Sequence, residues 1–314
     1  MITLTDVAKR AHVSTMTVSR VLHHPEQVSE EIRLSVQNAI SELGYKPSRV
    51  GQALSKQRQF VIQFLILEDV KKVDPYYAKL LLYIADFLRN EGYTLEINHD
   101  ATYHASQVDG TFVSGARKSD LKMLTELPYP IVSYGKVGQE IPYVDIDNAK
   151  GIFMITKYLI SVGYQNIIYI GLNLKEDFSL ERKKGYETAI IENKRKAHIF
   201  MINNDEHEAA ALVNQLDLKE KTAIVSATDR IAIGVLQRIQ ECGIADVGVT
   251  GFDGVFISQF SLHKLTTVEQ PLKEIARTML EMMLKLINKE NVKSTLIKPR
   301  IIIGETTRKQ KVIR

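Results

Sequence analysis

The sequence predicts a small all-α headpiece followed by an α/β core of two wound subdomains. Before residue 58 the apolar residues recur at helical spacing, whereas from Phe60 onward short β-rich runs alternate with amphipathic segments of helix length. This alternation is typical of parallel sheets that are covered by helices. The core of about 255 residues is large for one set of layers, so we expect two subdomains.

Three short helices are expected in the headpiece, and the first two form a helix-turn-helix. Ser14 stands at the N-cap of the second helix, where its hydroxyl can accept from a free backbone N–H. A third helix begins after Ser29, with Glu30 and Glu31 in its first turn, and ends at Gly44. The inward residues of the first two helices are Leu4, Val7, Ala8, Ala11, Val18, Val21 and Leu22.

The headpiece carries most of the net charge. The whole chain has a net charge of +4, of which residues 1–58 contribute +3. His12, His23 and His24 add positive potential when they are protonated. This segment is therefore where a polyanion would be attracted, although charge alone is also compatible with a mildly basic helical segment that has no such partner.

The stretch STMTVSR, residues 14–20, offers little to a hydrophobic core. If Val18 points inward, the residues left outside are Thr15, Met16, Thr17, Ser19 and Arg20. Hydroxyls and arginine suit phosphate oxygens and base edges, and a methionine can contact a thymine methyl. The pattern favours a DNA-contacting helix, and a polar solvated face is the alternative.

Two runs, TLTDVAKRAHVSTMTVSRVL and VSEEIRLSVQNAISELGYKPSRVGQALS, resemble the headpiece of the lactose repressor (LacI/GalR) family of bacterial transcription regulators. The resemblance implies that Thr15, Met16 and Arg20 read bases. It also implies a hinge helix at residues 48–56 that folds on operator DNA, with Leu54 wedged into the minor groove. The other DNA contacts that it implies are Ser14, Thr17, Ser19, Tyr45 and Arg49.

The chain departs from the family pattern at several places. His12 stands where the turn usually carries Gly, so we expect a positive φ there. His23 stands where Asn is usual. The segment ATYHASQ at 101–107 replaces what is commonly a full helix, and GIADVGVTGF at 243–252 lacks the usual Pro-containing loop.

The resemblance continues through the core and covers essentially the whole chain, in the runs DPYYAKLLLYIADFLRNEGYTL, VDGTFVS, VDIDNAKG, ATDRIAIG, GFDG and LTTVEQP. It implies a periplasmic-binding-protein-like core of two Rossmann-like subdomains, which are linked by three crossings and bind ligand in the cleft between them. The expected crossings lie near 158–162, 269–271 and 291–295. The expected bounds are 1–58 for the headpiece and 59–314 for the core, with an N-subdomain at 60–158 and 271–292 and a C-subdomain at 162–269 and 295–314.

Recognition of a sugar calls for planar charged groups that bridge neighbouring hydroxyls. By the resemblance, Arg182 and Asp253 are the sugar-binding pair, and Thr228 takes a place that is often held by Asn. Tyr76 and Tyr77 match aromatic positions at the cleft edge. The alternatives are an Arg182 salt bridge with a neighbouring glutamate, a loop cap for Asp253 and core packing for the tyrosines.

The expected partners are palindromic operator DNA, a small sugar effector and a second copy of the chain. The helix within AKLLLYIADFLRN is apolar nearly all round, so one face packs on the sheet and another is left for a homodimer. No signal-like or membrane-spanning run occurs, which favours a cytoplasmic location. The single cysteine, Cys242, lies in a helical pattern; it excludes an internal disulfide, and no cofactor or metal motif is found.

The sequence therefore predicts a sequence-specific transcriptional repressor of sugar-utilisation genes, with a di- or oligosaccharide effector. An enzyme is a rival, but no P-loop, dinucleotide fingerprint or nucleophile with its base appears. A sugar-transport receptor is a second rival, which the headpiece argues against. A regulator that uses a corepressor, such as a purine, a sugar phosphate or a partner protein, remains the open alternative.

Overall fold

The structure is a computed structural model that describes residues 2–45, 58–68, 75–99, 107–255 and 264–309. The chain divides into two compact units, Met1–Phe60 and Val61–Arg314. The first unit thus ends two residues beyond the expected boundary at 58. The expected hinge helix at 48–56, with Arg49 and Leu54, lies outside the described residues, as does nearly all of the shortened segment at 101–107.

The headpiece contains three α-helices, which are α1 (Leu4–Arg10), α2 (Thr15–His23) and α3 (Glu30–Leu43). A single 3-10 turn at Pro25–Gln27 joins α2 to the segment before α3. One residue from each helix is fully buried where the three meet: Val7, Val18 and Val36. The predicted helical headpiece is therefore confirmed, and Val18 fixes which face of α2 is turned outward.

Local sequence accounts for the helix ends. Ser14 caps α2, because its Oγ accepts from the backbone N–H of Thr17 at 3.0 Å, as predicted. Gly44 ends α3 with φ 61, and His12 in the turn has φ 56, the positive value that its place in the turn predicts. At α1, Thr3 and Asp6 form a capping box, and the bonds from Thr3 lower the pKa of the Asp6 carboxyl.

Two six-stranded sheets form the core. The first has the order β11-β5-β4-β3-β1-β2 and is parallel throughout. The second has the order β12-β10-β9-β8-β6-β7 and is parallel except for β12, which runs antiparallel to β10. The strands are β1 (Val61–Ile66), β2 (Thr94–Asn98), β3 (Gly110–Ser114), β4 (Ile131–Tyr134), β5 (Tyr143–Ile146), β6 (Asn166–Leu172), β7 (His198–Ile202), β8 (Thr222–Ser226), β9 (Gly248–Asp253), β10 (Thr266–Glu269), β11 (Thr295–Ile297) and β12 (Arg300–Ile302).

Helices pack against these sheets as the α/β class predicts. In the first subdomain α4 and α10 pack on each other, and α10 also contacts β3, β4 and β5; in the second, α6 packs on α7 and α9 packs on α8. The described core helices are α4 (Pro75–Asn90), α5 (Leu121–Thr125), α6 (Asn148–Ser161), α7 (Asp177–Glu192), α8 (Glu206–Val213), α9 (Asp229–Glu241) and α10 (Leu272–Ile287).

The chain crosses between the sheets at places that differ from two of the three expected ones. The first crossing is at Asp147 and not at 158–162, because the whole of α6 packs against α7 and the strands of the second sheet. The second lies at residues 270–271, between β10 and α10. The third is at 298–299 and not at 291–295, because Thr295–Ile297 pairs with β5 and so belongs to the first sheet.

Cys242 follows α9 as its C-cap and is exposed, so its expected position within the helix is wrong. In the part of the chain that the structure describes, no helix is long and apolar enough to cross a membrane. Among the same described residues, no three His, Cys, Asp or Glu side chains are grouped so that they could hold a metal ion.

Candidate functional site

The outward face of α2 presents the residues singled out from STMTVSR. Thr15, Met16 and Arg20 are exposed, and Met16 is 65% exposed although it is a large apolar side chain. The Nη2 atom of Arg20 lies 3.8 Å from Sδ of Met16, one helical turn earlier, so the two side chains form one continuous surface.

The hydroxyls at the start of α2 have structural partners. The Oγ of Ser14 lies 2.9 Å from Oγ1 of Thr17 and also caps the helix. Thr17 and Ser19 are half-buried. The ring of Tyr45 is half-buried and packs on the headpiece core, just beyond the end of α3. These residues therefore leave only part of each side chain free to contact a partner.

The arginines of the headpiece differ in their surroundings. Arg10 of α1 pairs with Glu42 of α3, and Arg33 pairs with Glu30 at 3.0 Å. In the described headpiece, Arg20 has no carboxylate within salt-bridge distance. The positive charge of α2 is therefore directed outward, where it would attract a phosphate backbone.

The second site is a cleft of about 730 Å³ that lies between the two sheets of the core. Its lining includes residues at or just after the carboxyl ends of parallel strands in both sheets, namely Ser114, Tyr134, Asp145, Leu172, Thr228 and Asp253. Ligands of wound α/β folds bind at this end of the strands.

Arg182 of α7 is 5% exposed, and its guanidinium is held from several sides. Its Nε donates to Oδ1 of Asn148 at 2.9 Å, and its Nη1 donates to the carbonyl of Ala227 at 2.7 Å. The guanidinium carbon lies 3.7 Å from the centroid of the Phe252 ring. Nη1 is 3.9 Å from Oδ1 of Asp253, so the side chain faces the cleft and not a neighbouring glutamate of its own helix.

Asp253 ends β9 in an uncommon backbone conformation, with φ 125. The following Gly254 also has a positive φ, and a Cβ there would lie 2.8 Å from the Cα of Glu269. Asp229, which is fully buried, accepts from the backbone N–H of Val255 at 3.0 Å. The turn after Asp253 is thus fixed by tight packing on one side and by a buried carboxylate on the other.

Three other expected effector residues also line the cleft, but they have protein partners. Thr228 caps α9, because its Oγ1 accepts from the N–H of Ile231 at 3.2 Å and donates to Oδ1 of Asn204 at 2.8 Å. The Tyr77 hydroxyl donates to Glu68 and lies 2.8 Å from Oγ of Ser114. Tyr77 is buried, whereas Tyr76 is half-buried.

A hydrogen-bonded chain runs from Tyr134 to Asp253, and Tyr76 stacks on its first residue. The rings of Tyr76 and Tyr134 have centroids 6.0 Å apart. Tyr134 donates to Oε1 of Gln270, and Nε2 of Gln270 donates to Oδ1 of Asp253 at 2.7 Å. Burial raises the pKa of both tyrosines well above the usual range, so both hydroxyls stay protonated and able to donate.

Burial has the same effect on the carboxyl of Asp145. It is 8% exposed, one residue before the end of β5, and burial raises the pKa of its carboxyl. Bonds from the N–H groups of Ile146 at 2.7 Å and Lys136 at 3.3 Å oppose this shift. Its Oδ1 also accepts from Nδ2 of Asn148 at 3.2 Å. Because Oδ1 of Asn148 accepts from Arg182, Asn148 links the carboxyl of Asp145 to the guanidinium of Arg182.

Ion pairs cross the mouth of the cleft. Arg117, which follows β3, lies 3.5 Å from Glu176. Lys118 and Lys136 lie 3.5 Å and 3.6 Å from the two carboxylate oxygens of Asp177. Glu176 is the N-cap and Asp177 the first residue of α7 in the second subdomain, so these pairs join the two walls of the cleft. Both acids are favoured at a helix N-terminus.

Several cleft residues were missed by the sequence analysis, and they include Tyr134, Asp145, Asn148 and Gln270. Tyr134 could have been found from the rule that ligand sites form at the carboxyl ends of parallel strands, since it lies near the end of the predicted strand PIVSYG. Asp145 lies in a run that was not predicted as a strand, so the rule was not applied to it. Gln270 directly follows the carboxyl end of β10, but the run LTTVEQP was not predicted as a strand, and its hydrogen-bond partners Tyr134 and Asp253 are distant in sequence.

These features together define a class, a DNA-binding transcription regulator with a periplasmic-binding-protein-like domain. The model of the bacterial regulatory proteins of the lacI family matches residues 3–48, and that of the periplasmic binding protein-like domain matches residues 156–307. An uncharacterized HTH-type transcriptional regulator, YvdE of Bacillus subtilis (strain 168), is 36% identical over 98% of this chain and 100% of its own length. The chain belongs to the LacI family of transcriptional regulators.

Solved structures show the same architecture. The transcriptional regulator CelR in complex with cellobiose is 26% identical, with a TM-score of 0.68 over 98% of this chain and 100% of its own. The lac repressor dimer bound to operator and the anti-inducer ONPF has a TM-score of 0.72 over 98% of this chain and 99% of its own; at 22% identity it supports the fold alone.

Proposed function

We propose that the protein is a repressor that binds palindromic operator DNA as a homodimer and responds to a neutral sugar, a di- or oligosaccharide, in the cleft. The observation that carries the proposal is the placement of Arg182 and Asp253, which are 3.9 Å apart and fixed by surrounding protein groups. A guanidinium beside a carboxylate can bond to several neighbouring hydroxyls of one pyranose ring.

The charges of the cleft favour a neutral ligand over a phosphorylated one. Among the described lining residues, six acids balance six bases. Five of these bases, all except Lys175, lie within 4 Å of a carboxylate; they are Arg117, Lys118, Lys136, Arg182 and Arg230. A phosphate would therefore have to displace existing ion pairs, whereas hydroxyl groups can join them without adding charge.

The size and aromatic lining of the cleft favour more than one sugar ring. Its volume of about 730 Å³ lies in the upper part of the range of roughly 300 to 1,000 Å³ that is usual for small-molecule sites. Tyr76, Tyr134 and Phe178 line it and offer apolar ring faces. The solved CelR structure, whose described ligand is cellobiose, supports the same ligand class.

For DNA binding we infer that α2 enters the major groove, with Thr15, Met16 and Arg20 at base edges. Arg20 supports this assignment, because it is exposed beside Met16 and has no carboxylate partner among the described headpiece residues. Contacts to the DNA backbone are assigned to Ser14, Thr17, Ser19 and Tyr45. Arg49 is a further DNA contact, and Leu54 is assigned to the minor groove. A protein with this role acts in the compartment of the bacterial chromosome, the cytoplasm, and catalyses no reaction.

Two headpieces are needed to read a palindromic site, because two-fold protein symmetry matches two half-sites. The exposed Leu82 on α4 supports a homodimer through the first subdomain, since it is 69% exposed on a helix that is otherwise packed through Leu80, Ile84 and Leu88. Effector binding would change the distance between the first subdomains of the two protomers, and with it the affinity of the dimer for operator DNA. Coupling of this kind is worth about 1 to 3 kcal/mol.

The test is fluorescence anisotropy of the full chain on labelled DNA from upstream of its own gene, with random DNA of equal length as control. Titration with mono- and disaccharides, sugar phosphates and purines separates the effector classes. Release from the DNA by a disaccharide supports the proposal. If a purine or a sugar phosphate increases the affinity for the DNA, the protein is a regulator that uses a corepressor. If none of these compounds changes the affinity, the proposal of a sugar effector is wrong.

A further inference from the structure

Gln270 occupies the second crossing between the two subdomains, directly after β10 and before α10. It is 6% exposed, and both ends of its amide are bonded. Oε1 accepts from the hydroxyl of Tyr134, which ends β4 of the first sheet. Nε2 donates to Oδ1 of Asp253, which ends β9 of the second sheet, at 2.7 Å.

The main chain of Gln270 adds a second link to Asp253. Its backbone N–H donates to the carbonyl of Asp253 at 3.2 Å, next to the β-pairing of Glu269 with Asp253. Gln270 thus binds the backbone and the side chain of one residue. That residue has φ 125, a conformation that persists only when the surrounding structure enforces it.

The orientation of the Gln270 amide follows from its partners. Tyr134 donates a hydrogen bond and the carboxylate of Asp253 accepts one, so the amide oxygen must face the tyrosine and the amide nitrogen must face the aspartate. The reverse orientation would place an acceptor against the carboxylate. The amide therefore has one orientation, in which it bonds Tyr134 of one cleft wall and Asp253 of the other at the same time.

From these contacts we propose that Gln270 is a positioning residue, which aims Asp253 at the effector and connects it to Tyr134 across the cleft. This inference rests on the proposed function, because it assigns Gln270 to the control of that same sugar site. A sugar hydroxyl that bonds to Asp253 changes the bond to Gln270, and the change reaches the first subdomain through Tyr134 at the crossing itself.

Two variants separate positioning from transmission. Gln270→Met keeps a side chain of similar length and removes both of its hydrogen bonds. Tyr134→Phe keeps the ring that stacks on Tyr76 and removes only the hydroxyl. The matched controls lie outside the cleft. Gln63→Met removes a buried amide whose Oε1 accepts from Thr111 at 3.2 Å. Tyr186→Phe keeps the ring that stacks on Tyr169 and removes the hydroxyl that donates to the carbonyl of Ile167 at 2.8 Å.

Calorimetry and operator binding of the full chain give the two readouts. We expect Gln270→Met to raise the Kd of the disaccharide that releases the wild type by at least about tenfold, which is about 1.4 kcal/mol. Tyr134→Phe should leave this Kd within about threefold, but should reduce by at least about threefold the change in operator affinity that saturating sugar causes. Wild-type values of both quantities in both cleft variants, or equal losses in the control variants, would overturn the inference.

A measurement without sugar separates this inference from the proposed function. Hydrogen–deuterium exchange of the peptide containing Asp253, Gly254 and Val255 reports how firmly Gln270 holds that turn. We expect at least about fivefold faster exchange in Gln270→Met and wild-type exchange in Gln63→Met. If the wild type binds no sugar, the proposed function fails alone; unchanged exchange in Gln270→Met contradicts the positioning role whatever the ligand is.

Discussion

Arg182 and Asn148 are joined by a hydrogen bond of 2.9 Å from Nε to Oδ1. Asn148 is the first residue of α6 and directly follows the first crossing at Asp147. The arginine assigned to the effector is therefore fixed to one crossing, and Asp253 is fixed by Gln270 to another. Both charged groups of the site are thus bonded to segments that connect the two subdomains. Movement of these segments would change the orientation of one subdomain relative to the other.

Arg182→Lys should weaken effector binding by at least about tenfold. A lysine keeps the charge but has no planar group to bond Asn148 and Ala227 together or to stack on Phe252. Calorimetric titration with the sugar that releases the wild type from DNA measures the effect. Arg195→Lys is the matched control, because Arg195 bonds the carbonyls of Tyr164 and Gln165 outside the cleft; an equal loss there would indicate general destabilisation.

Arg20→Ala should cost at least about 1 kcal/mol on the cognate operator. The guanidinium lies on the exposed face of α2 beside Met16, where it can reach a guanine edge. Anisotropy titrations on the operator, on operators with single base changes and on random DNA measure the specificity ratio. Arg33→Ala, which removes an arginine that is paired with Glu30 on α3, should keep that ratio. Equal losses of affinity for operator and for random DNA would indicate that Arg20 contacts phosphate and does not read a base.

Ser14→Ala should destabilise the start of α2 by about 1 kcal/mol, because the backbone N–H of Thr17 loses the cap that it bonds at 3.0 Å. Amide exchange in the peptide that contains residues 14–20 measures this loss in the full chain. Ser14→Asp keeps a capping acceptor but adds negative charge. If Ser14 also contacts DNA, the aspartate variant should fold like the wild type and bind operator more weakly.

The fold class and the headpiece could be predicted because their signals are local. Val18 and Ser14 report helix periodicity and capping within a few residues, and the structure has the buried face and the cap at those positions. The crossings could not be predicted in the same way. The amphipathic pattern of α6 is compatible with packing on either sheet. The strand Thr295–Ile297 is too short for its sequence to predict that it pairs with β5.

The candidate site was predictable only in part for the same reason. Arg182 and Asp253 were found through the family resemblance, and both line the cleft. The bond between Tyr134 and Gln270 joins residues 136 positions apart, and no spacing rule reaches that far. The resemblance also treats Thr228 and Tyr77 as ligand groups, whereas their hydroxyls are bonded to Asn204 and Glu68.

The buried carboxyl of Asp145 should make stability depend on pH. Burial raises its pKa in the folded protein above the ordinary value near 3.9. Between these two values the folded state binds more protons than the unfolded state, so the free energy of unfolding falls as the pH rises. Asp145→Asn cannot titrate and should lose this slope.

Urea unfolding of the wild type and Asp145→Asn from about pH 4 to pH 7 measures the difference. The stability of the variant relative to the wild type should increase with pH across this window. A difference that is constant, or that decreases with pH, would contradict the raised pKa as the cause. Because only one carboxyl is changed, the other titrating groups cancel in the comparison.

The ion pairs at the cleft mouth should make closure of the core sensitive to salt. Asp177 forms ion pairs with two lysines, Lys118 and Lys136, of the opposite wall. Because all three side chains are at least partly exposed, salt screens their attraction at high ionic strength. Asp177→Asn removes both pairs at once and should shift the core toward an open cleft at low salt. Small-angle scattering of the core, or spin-label distances across the mouth, should show a larger separation in the variant than in the wild type.

At high salt the wild type should approach the variant, because screening removes the same attraction that the substitution removes. Glu192→Gln is the matched control: its partner Lys157, at 3.7 Å, belongs to the same subdomain, so the distance across the mouth should not change. If wild type and Asp177→Asn give equal distances at low salt, the ion pairs do not hold the two walls together. Closure would then depend on the buried contacts of Gln270 and Asn148 at the crossings.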